Sequence, residues 1–155
     1  MFRRAIVGSI AVLCLLGFGS RLPAQPAGNR IIEDAWLERS GECGWLTIRF
    51  TLPMQYVSHF PPEQGKELRI QLKPLGINRS DMPALGHNEP IRVADLDAIA
   101  PVQRLDYEGQ YNPNAPVISL VFEDEVHYRV QPGADFRSIR ILLSRPSLDH
   151  CPLTP

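Results

Sequence analysis

The chain has 155 residues, a formal net charge of −1 at neutral pH, and 44% hydrophobic residues. This length and composition suit one globular domain with its own hydrophobic core and leave little room for two. The near balance of charge argues against a nucleic-acid ligand, because binding to phosphates relies on an excess of Lys and Arg.

The first 24 residues have the composition of a secretory signal peptide. Arg3 and Arg4 precede an apolar run from Ala5 to Phe18, and small residues end the segment at Ala24. This pattern predicts cleavage after Ala24 and export, to the periplasm of a bacterial cell. The apolar run is shorter than the roughly 20 residues that span a bilayer. An uncleaved leader that serves as an anchor is the alternative.

Residues 25–155 are expected to form a single domain. Removing 24 residues from 155 leaves 131, and the leader takes three of the 16 basic residues, so 13 remain against 17 acidic ones. The mature chain then carries a net charge of −4, which again disfavours nucleic acid. No segment after the leader is long and apolar enough to cross a membrane.

Two cysteines remain after cleavage, Cys43 and Cys151. Two thiols in an exported protein are expected to pair, because the compartments outside the cytoplasm are oxidising. A disulfide here would tie the end of the domain to its first strands. A metal site is the alternative, but four ligands of suitable spacing are lacking, so we expect neither a metal nor a cofactor.

A motif occurs twice in the chain, in residues 31–74 and in residues 102–146. The first copy contains Leu46–Phe50, Tyr56 and Leu68–Leu72. Apolar and polar residues alternate in its two outer pieces, which is typical of half-buried strands.

The second copy repeats this spacing with Ile118–Phe122, Tyr128 and Ile139–Leu143. The step from Phe to Tyr is six residues in both copies. The middle pieces, 54–60 and 126–130, are rich in β-branched and aromatic residues, and Pro and Gly follow them as turn signals. A chance similarity between two amphipathic hairpins is the alternative to a true repeat.

Each copy predicts four strands: an edge, a long, a middle and a closing strand. We therefore expect an all-β, internally duplicated fold of two packed four-stranded sheets, sandwich-like and pseudo-symmetric. The segment 75–101 is interrupted by prolines and is expected to be a surface crossover with one or two helical turns in 95–100.

No catalytic motif is present, and we expect the chain not to be an enzyme. The histidines lack metal-binding spacing, and no nucleophile elbow occurs. Glu123, Asp124 and Glu125 are most simply a solvated strand end or turn. The alternative is a small periplasmic enzyme or inhibitor that uses His127 with Glu123 or Glu125.

Three arginines are candidate ligand contacts: Arg49 in the first long strand, and Arg69 and Arg140 at matching places in the two closing strands. Guanidinium groups suit carboxylate recognition through paired hydrogen bonds. The competing explanation is that long charged side chains cover the backs of strands and deter edge pairing.

Each copy of the motif runs from an alternating strand through Tyr to Leu-Arg-Ile-Gln-Leu or Ile-Arg-Ile-Leu-Leu. An exported chain with two such copies resembles the AMIN domain. That domain occurs at the periplasmic ends of bacterial cell-wall amidases and secretin subunits. The resemblance covers about residues 31–143 and implies two pseudo-symmetric four-stranded sheets. It also implies a non-catalytic module that directs its carrier to the envelope, with peptidoglycan the usual proposed ligand. The disulfide departs from the family's pattern.

The expected function is therefore an exported binding module of the bacterial cell envelope that contacts peptidoglycan or an envelope protein complex. The enzyme or inhibitor based on His127 is one alternative. A structural subunit that joins an envelope assembly by edge-strand addition is the other.

Overall fold

The computed structural model describes residues 30–145 and Cys151. The predicted signal peptide, residues 1–24, and the end of the second repeat at Pro146 lie outside these residues. Eight strands make up the fold: β1 (Ile32–Ser40), β2 (Cys43–Phe50), β3 (Met54–Phe60), β4 (Gln64–Pro74), β5 (Asn88–Pro90), β6 (Val102–Glu108), β7 (Val117–Pro132) and β8 (Ser138–Ser144). The prediction of an all-β fold is confirmed.

All eight strands belong to one hydrogen-bonded sheet with antiparallel neighbours. The main path runs β1-β2-β8-β7-β4-β3, and β6 pairs with β7 while β5 pairs with β6. The strands therefore do not form two separate sheets, and the predicted sandwich is not confirmed. The sheet is instead nearly closed on itself.

The long strand β7 explains this shape. Its first half pairs with β4 on one edge and β6 on the other, and its second half pairs with β8. His127 lies opposite both Gln64 of β4 and Ser144 of β8, so β8 uses the same edge of β7 as β6 does. The sheet forks at β7 into two arms, β8-β2-β1 and β6-β5, which curl towards each other.

β7 also corrects one expectation from the sequence. Glu123, Asp124 and Glu125 are exposed, as expected for a charged run, but they lie inside β7 rather than at a strand end or in a turn. A strand can continue through such a run when both neighbouring segments are held by ladder pairing, as residues 117–122 and 126–132 are here.

The core fills the space between the curled arms. The strands contribute their inward residues, Leu46, Ile48, Phe50, Leu68, Ile70, Leu72, Ile118, Leu120, Phe122, Ile139, Ile141 and Leu143, all at most 2% exposed. The segment 75–101 adds Leu85, Ile91, Leu96, Ile99 and Ala100, so the expected surface crossover is partly buried in the core. Burying side chains of this size contributes roughly 1.5–3 kcal/mol each to folding. The period-two pattern of the sequence therefore identified the inward face correctly.

The strand pairs of the two motif copies match in residue type. Thr47 lies opposite Arg140 where β2 meets β8, and Ser119 lies opposite Arg69 where β7 meets β4. The flanking pairs match as well: Leu46–Ile141 with Ile118–Ile70, and Ile48–Ile139 with Leu120–Leu68. Each closing strand thus pairs with the long strand of the other copy.

Phe50 and Phe122 occupy corresponding environments. Both side chains are buried, and they lie opposite Ile32 and Val102 respectively. The ladder shifts register just beyond each of these pairs, so Glu33 and Gln103 are extra residues at equivalent places. Such β-bulges bend a strand locally, which fits the curl of both arms.

The crossover between the copies holds a 3-10 turn at Arg79–Asp81, a four-residue helix α1 (Met82–Leu85), β5 and a second 3-10 turn at Leu96–Ala98. The helical turn near 95–100 was predicted, whereas α1 and β5 were not. Among the described residues, no helix has the length and apolar character needed to span a membrane.

Candidate functional site: an open seam between β1 and β5

The two arms of the sheet meet at β1 and β5, and the side chain of Glu89 joins them. Its carboxylate accepts hydrogen bonds from the backbone N–H groups of Ile31 at 3.0 Å and Ile32 at 3.3 Å. Arg30 Nε donates to the other oxygen at 3.0 Å. Glu89 is itself buried, so these donors replace the water that a buried carboxylate would otherwise need.

Beside this junction the seam is open. A cleft of about 760 Å³ lies between Ile32–Ala35 on one side and His87–Arg92 on the other, with Arg30 at its end. Its wall carries both signs of charge: Arg30, Arg92, Glu33, Asp34 and Glu89. A cleft lined by two strand edges and by charged side chains suits a ligand that offers backbone hydrogen-bonding groups.

His87 adds a polar group to the wall of the cleft. Its Nε2 lies 3.8 Å from the Glu89 carboxylate. Its Nδ1 is buried and has no hydrogen-bond partner among the described residues. A buried polar atom without a partner costs free energy, and a ligand that supplied the missing hydrogen bond would recover it.

Sequence reasoning missed Glu89 and His87. The crossover was interpreted as surface because its prolines break any periodic pattern, and a single Glu before a Pro gives no sign of burial. The one usable signal was Glu89-Pro90 followed by Ile91, a short extended stretch that ends at a proline, as edge strands often do.

Of the three candidate arginines, the structure brings two onto one face. Arg49 and Arg140 project from the outer face of β2 and β8, each beside an indole ring. The guanidinium carbon lies 5.8 Å from the Trp36 ring centroid for Arg49, and 4.5 Å from the Trp45 ring for Arg140. Arg140 Nη2 also lies 3.5 Å from the Glu38 carboxylate.

Arg69 lies elsewhere. It pairs with β7 at Ser119, whereas Arg140 pairs with β7 at Gln131, so the two arginines are far apart along that strand. Arg69 donates to Glu108 at 2.9 Å and to Glu67 at 3.3 Å. Its guanidinium is therefore already paired, and the three arginines do not form a common cluster.

His127, Glu123 and Glu125 all lie in β7, where the ladder to β4 shifts register between Val121 and Val126. In the described part of the chain, no hydrogen bond or ion pair joins His127 to either carboxylate. The same residues contain no group of three or more His, Cys, Asp and Glu side chains placed to hold a metal ion.

Tyr56 and Tyr128, the equivalent tyrosines of the two copies, contribute mainly to packing. Tyr128 is buried and stacks against Phe122 at 6.4 Å between ring centroids. Burial raises the pKa of Tyr128 to about 12. Tyr56 is half-buried, and its hydroxyl donates to Nδ1 of His59 at 2.6 Å, while Nε2 of His59 donates to the carbonyl of Pro62 at 2.8 Å.

The sulfurs of Cys43 and Cys151 lie within disulfide distance, with their Cα atoms 6.0 Å apart. The pair packs with Trp45 and Leu142 in a small apolar cluster on the outer face of β2 and β8. The predicted pairing therefore agrees with the structure. The bridge would hold Cys151 against the strand pair that starts at Cys43.

The sequence of this chain matches no protein-family model, and no curated protein matches it.

Proposed function

We propose that the chain is an exported, non-catalytic binding module of the bacterial cell envelope, and that it binds its ligand in the open seam between β1 and β5. The observation that carries this proposal is the cleft of about 760 Å³ at the place where the sheet does not close. Clefts of this volume are in the usual range for ligand sites. The two strand edges favour an extended segment of an envelope protein as the ligand.

The matched strand registers support the proposed internal duplication. In this interpretation one half is β1-β2-β8 with the end of β7, and the other is β6 with the start of β7, β4 and β3. Each half then has four strands, and the two pack against each other across the core as a sandwich-like pair joined by β7. This arrangement is the one that the resemblance to the AMIN domain implies.

Export to the envelope is supported by the leader pattern of residues 1–24 and by the cysteine pair. A disulfide between Cys43 and Cys151 forms and persists in an oxidising compartment. Both features belong to a chain that works outside the cytoplasm.

Peptidoglycan is the second candidate ligand, and the arginine–tryptophan face on the outside of β1, β2 and β8 favours it. In this face Arg49 is exposed, Arg140 and Trp36 are half-buried, and Trp45 is buried. Arg49 and Arg140 beside Trp36 and Trp45 combine cations with aromatic rings on one surface. Guanidinium groups bind the carboxylates that a cell-wall stem peptide carries. Arg49 lies opposite Asp34 of the cleft wall, but neither Arg49 nor Arg140 lines the cleft, so variants of the arginines and of the cleft distinguish the two ligands.

Binding to envelope fractions tests the proposal. The purified protein is mixed with solubilised envelope proteins and, separately, with purified sacculi. Glu33 is exposed at the rim of the cleft, so Glu33→Trp should block the cleft and abolish protein capture, whereas Glu123→Trp, the same change on β7, should not. Binding to neither fraction would contradict the proposal.

Sacculus binding that is lost in the Arg49→Ala, Arg140→Ala double variant and kept in Glu33→Trp would identify peptidoglycan as the ligand instead. Arg69→Ala serves as the matched control, because Arg69 lies on another part of the sheet. Hydrolysis of envelope material that disappears in His127→Ala would favour the enzyme alternative.

A further inference from the structure

β1 has a free edge in the described part of the chain, where it pairs only with β2. The N–H of Ala35 donates to the side chain of Asp34 at 2.8 Å, so it points away from β2. Residues of an antiparallel ladder alternate in the direction of their backbone groups. The N–H and C=O groups of Leu37 and Arg39 therefore also face the free edge.

The corresponding edge of β6 is covered. Ile91 donates its N–H to the carbonyl of Leu105 at 2.8 Å, and Gly109 donates to the carbonyl of His87 at 3.0 Å. Between these bonds Glu89 lies opposite Tyr107. The backbone groups on this edge of β6 are therefore hydrogen-bonded to the short strand β5 and its flanking residues.

The two edges correspond residue by residue. Leu37 lies opposite Leu46 on β2, and Tyr107 lies opposite Ile118 on β7, which are matching positions of the repeat. In the same way Ala35 corresponds to Leu105. The free edge of β1 therefore presents backbone N–H and C=O groups in the same arrangement as the edge of β6 that pairs with β5. Within the described residues no strand pairs with this edge of β1.

We propose that a partner protein adds a short extended strand to the free edge of β1, centred opposite Leu37, in the antiparallel register that β5 adopts on β6. The inference deepens the proposed function, on which it rests, by naming the form of the ligand and the backbone groups that bind it. Main-chain hydrogen bonds supply affinity in such strand addition, and alternate side chains supply specificity.

The side chains of β1 indicate a basic partner. Asp34 and Glu38 are exposed on the outer face, on either side of Trp36, and Glu33 is exposed nearby. Arg49 lies opposite Asp34 on β2, and Arg140 lies 3.5 Å from Glu38, both on the side away from the free edge, so the three carboxylates are only partly balanced. Opposite charges on facing strands stabilise pairing, and like charges destabilise it. The added strand is expected to carry Lys or Arg opposite Glu38 and Asp34. A second copy of β1 fits less well, because it would bring three more carboxylates to the interface.

Two synthetic peptides test the inference, both blocked at their ends: TVKVTVK, with lysines placed opposite Glu38 and Asp34, and TVEVTVE as the matched acidic control. The readout is NMR of the purified, oxidised protein with each peptide. TVKVTVK should slow hydrogen exchange at the amides of Leu37 and Arg39. It should bind roughly three- to tenfold more tightly than TVEVTVE, as expected for two facing charge pairs.

Charge reversal on β1 sharpens the test. Glu38→Lys should remove the preference for TVKVTVK, whereas Glu125→Lys, the same change on β7, should leave it intact. Far-ultraviolet circular dichroism and thermal unfolding check that each variant folds. The inference is overturned if the Leu37 and Arg39 amides are already protected without peptide, or if both peptides bind equally.

The outcomes separate this inference from the function on which it rests. Envelope-protein capture that Glu33→Trp abolishes, without any effect of TVKVTVK at Leu37, would refute strand addition and leave the cleft as the binding site. Failure of both experiments would refute both proposals.

Discussion

Ile31 donates its backbone N–H to the Glu89 carboxylate at 3.0 Å, across 58 residues of sequence. This contact replaces, with one side chain, the backbone ladder that would be needed to close the sheet between β1 and β5. The same carboxylate serves Ile32 and Arg30, so one buried residue holds the start of β1 in place.

Glu89→Ala should therefore lower the free energy of unfolding by about 2–3 kcal/mol, because it leaves backbone donors and Arg30 without their acceptor. Glu89→Gln should cost less, since its amide oxygen still accepts hydrogen bonds. Urea unfolding at neutral pH measures both effects. Glu33→Ala, an exposed change on the same rim, should remain within about 0.5 kcal/mol of the unmodified protein.

The disulfide closes a loop of 108 residues. Removing it with Cys43→Ser and Cys151→Ser together should cost about 4–5 kcal/mol in the chain-entropy description. Denaturant titration with and without reductant measures this cost. Reductant should destabilise the unmodified protein by a similar amount and leave the double variant unchanged. If the unmodified protein and the double variant are equally stable without reductant, the bridge does not stabilise the fold.

Removing the hydroxyl group should destabilise the protein at Tyr107 but not at Tyr128, although both side chains are buried. The hydroxyl of Tyr107 donates to the carbonyl of Leu85 at 3.0 Å, so Tyr107→Phe should cost about 1 kcal/mol. The hydroxyl of Tyr128 is buried without a partner among the described residues, so Tyr128→Phe should be neutral or stabilising. Thermal unfolding at neutral pH compares the two variants.

Tyr128 also predicts how stability depends on alkaline pH. Burial raises its pKa from 10.0 to about 12 in the folded state. Between these values the folded protein keeps a proton that the unfolded chain releases, so this contribution to stability is present in full below about pH 10 and is lost as pH rises towards 12. Burial also raises the pKa of Tyr107, which adds a loss in the same direction. Tyr128→Phe should reduce this decline, as measured by urea unfolding at several pH values. An unchanged pH dependence would show that other groups dominate.

The cation–π contact between Arg140 and Trp45 should contribute measurable coupling. At 4.5 Å it is closer than the Arg49–Trp36 contact at 5.8 Å. A double-mutant cycle with Arg140→Met and Trp45→Leu should give a coupling energy of about 0.5–1 kcal/mol. The cycle with Arg49→Met and Trp36→Leu should give less. A larger coupling energy for Arg49 and Trp36 than for Arg140 and Trp45 would contradict this prediction.

The strands were predictable because alternation survives in sequence wherever one face of a strand is buried. Leu68, Ile70 and Leu72 show this pattern, and all three are fully buried in β4. The exchange of closing strands was not predictable, because alternation fixes which face a residue uses but not which neighbour it pairs with. Closing strands that pair within their own copy and closing strands that pair with the other copy have the same alternation of apolar and polar residues.

The seam was not predictable either, for a different reason. β5 has only three residues, one of them a proline, so no period can be read from it. The burial of Glu89 depends on donors that come from a distant part of the chain, at Arg30–Ile32. Contacts of this kind follow from the assembled sheet and leave no local pattern.

The position of β8 has a consequence for how the molecule forms. β8 is the last strand in sequence, yet it lies between β2 and β7. A chain synthesised from its amino terminus therefore cannot complete the ladder of β2 until β8 has emerged. Until then β2 has only β1 as a neighbour, so joining the β1-β2 pair to the rest of the sheet is expected to be a late step in folding.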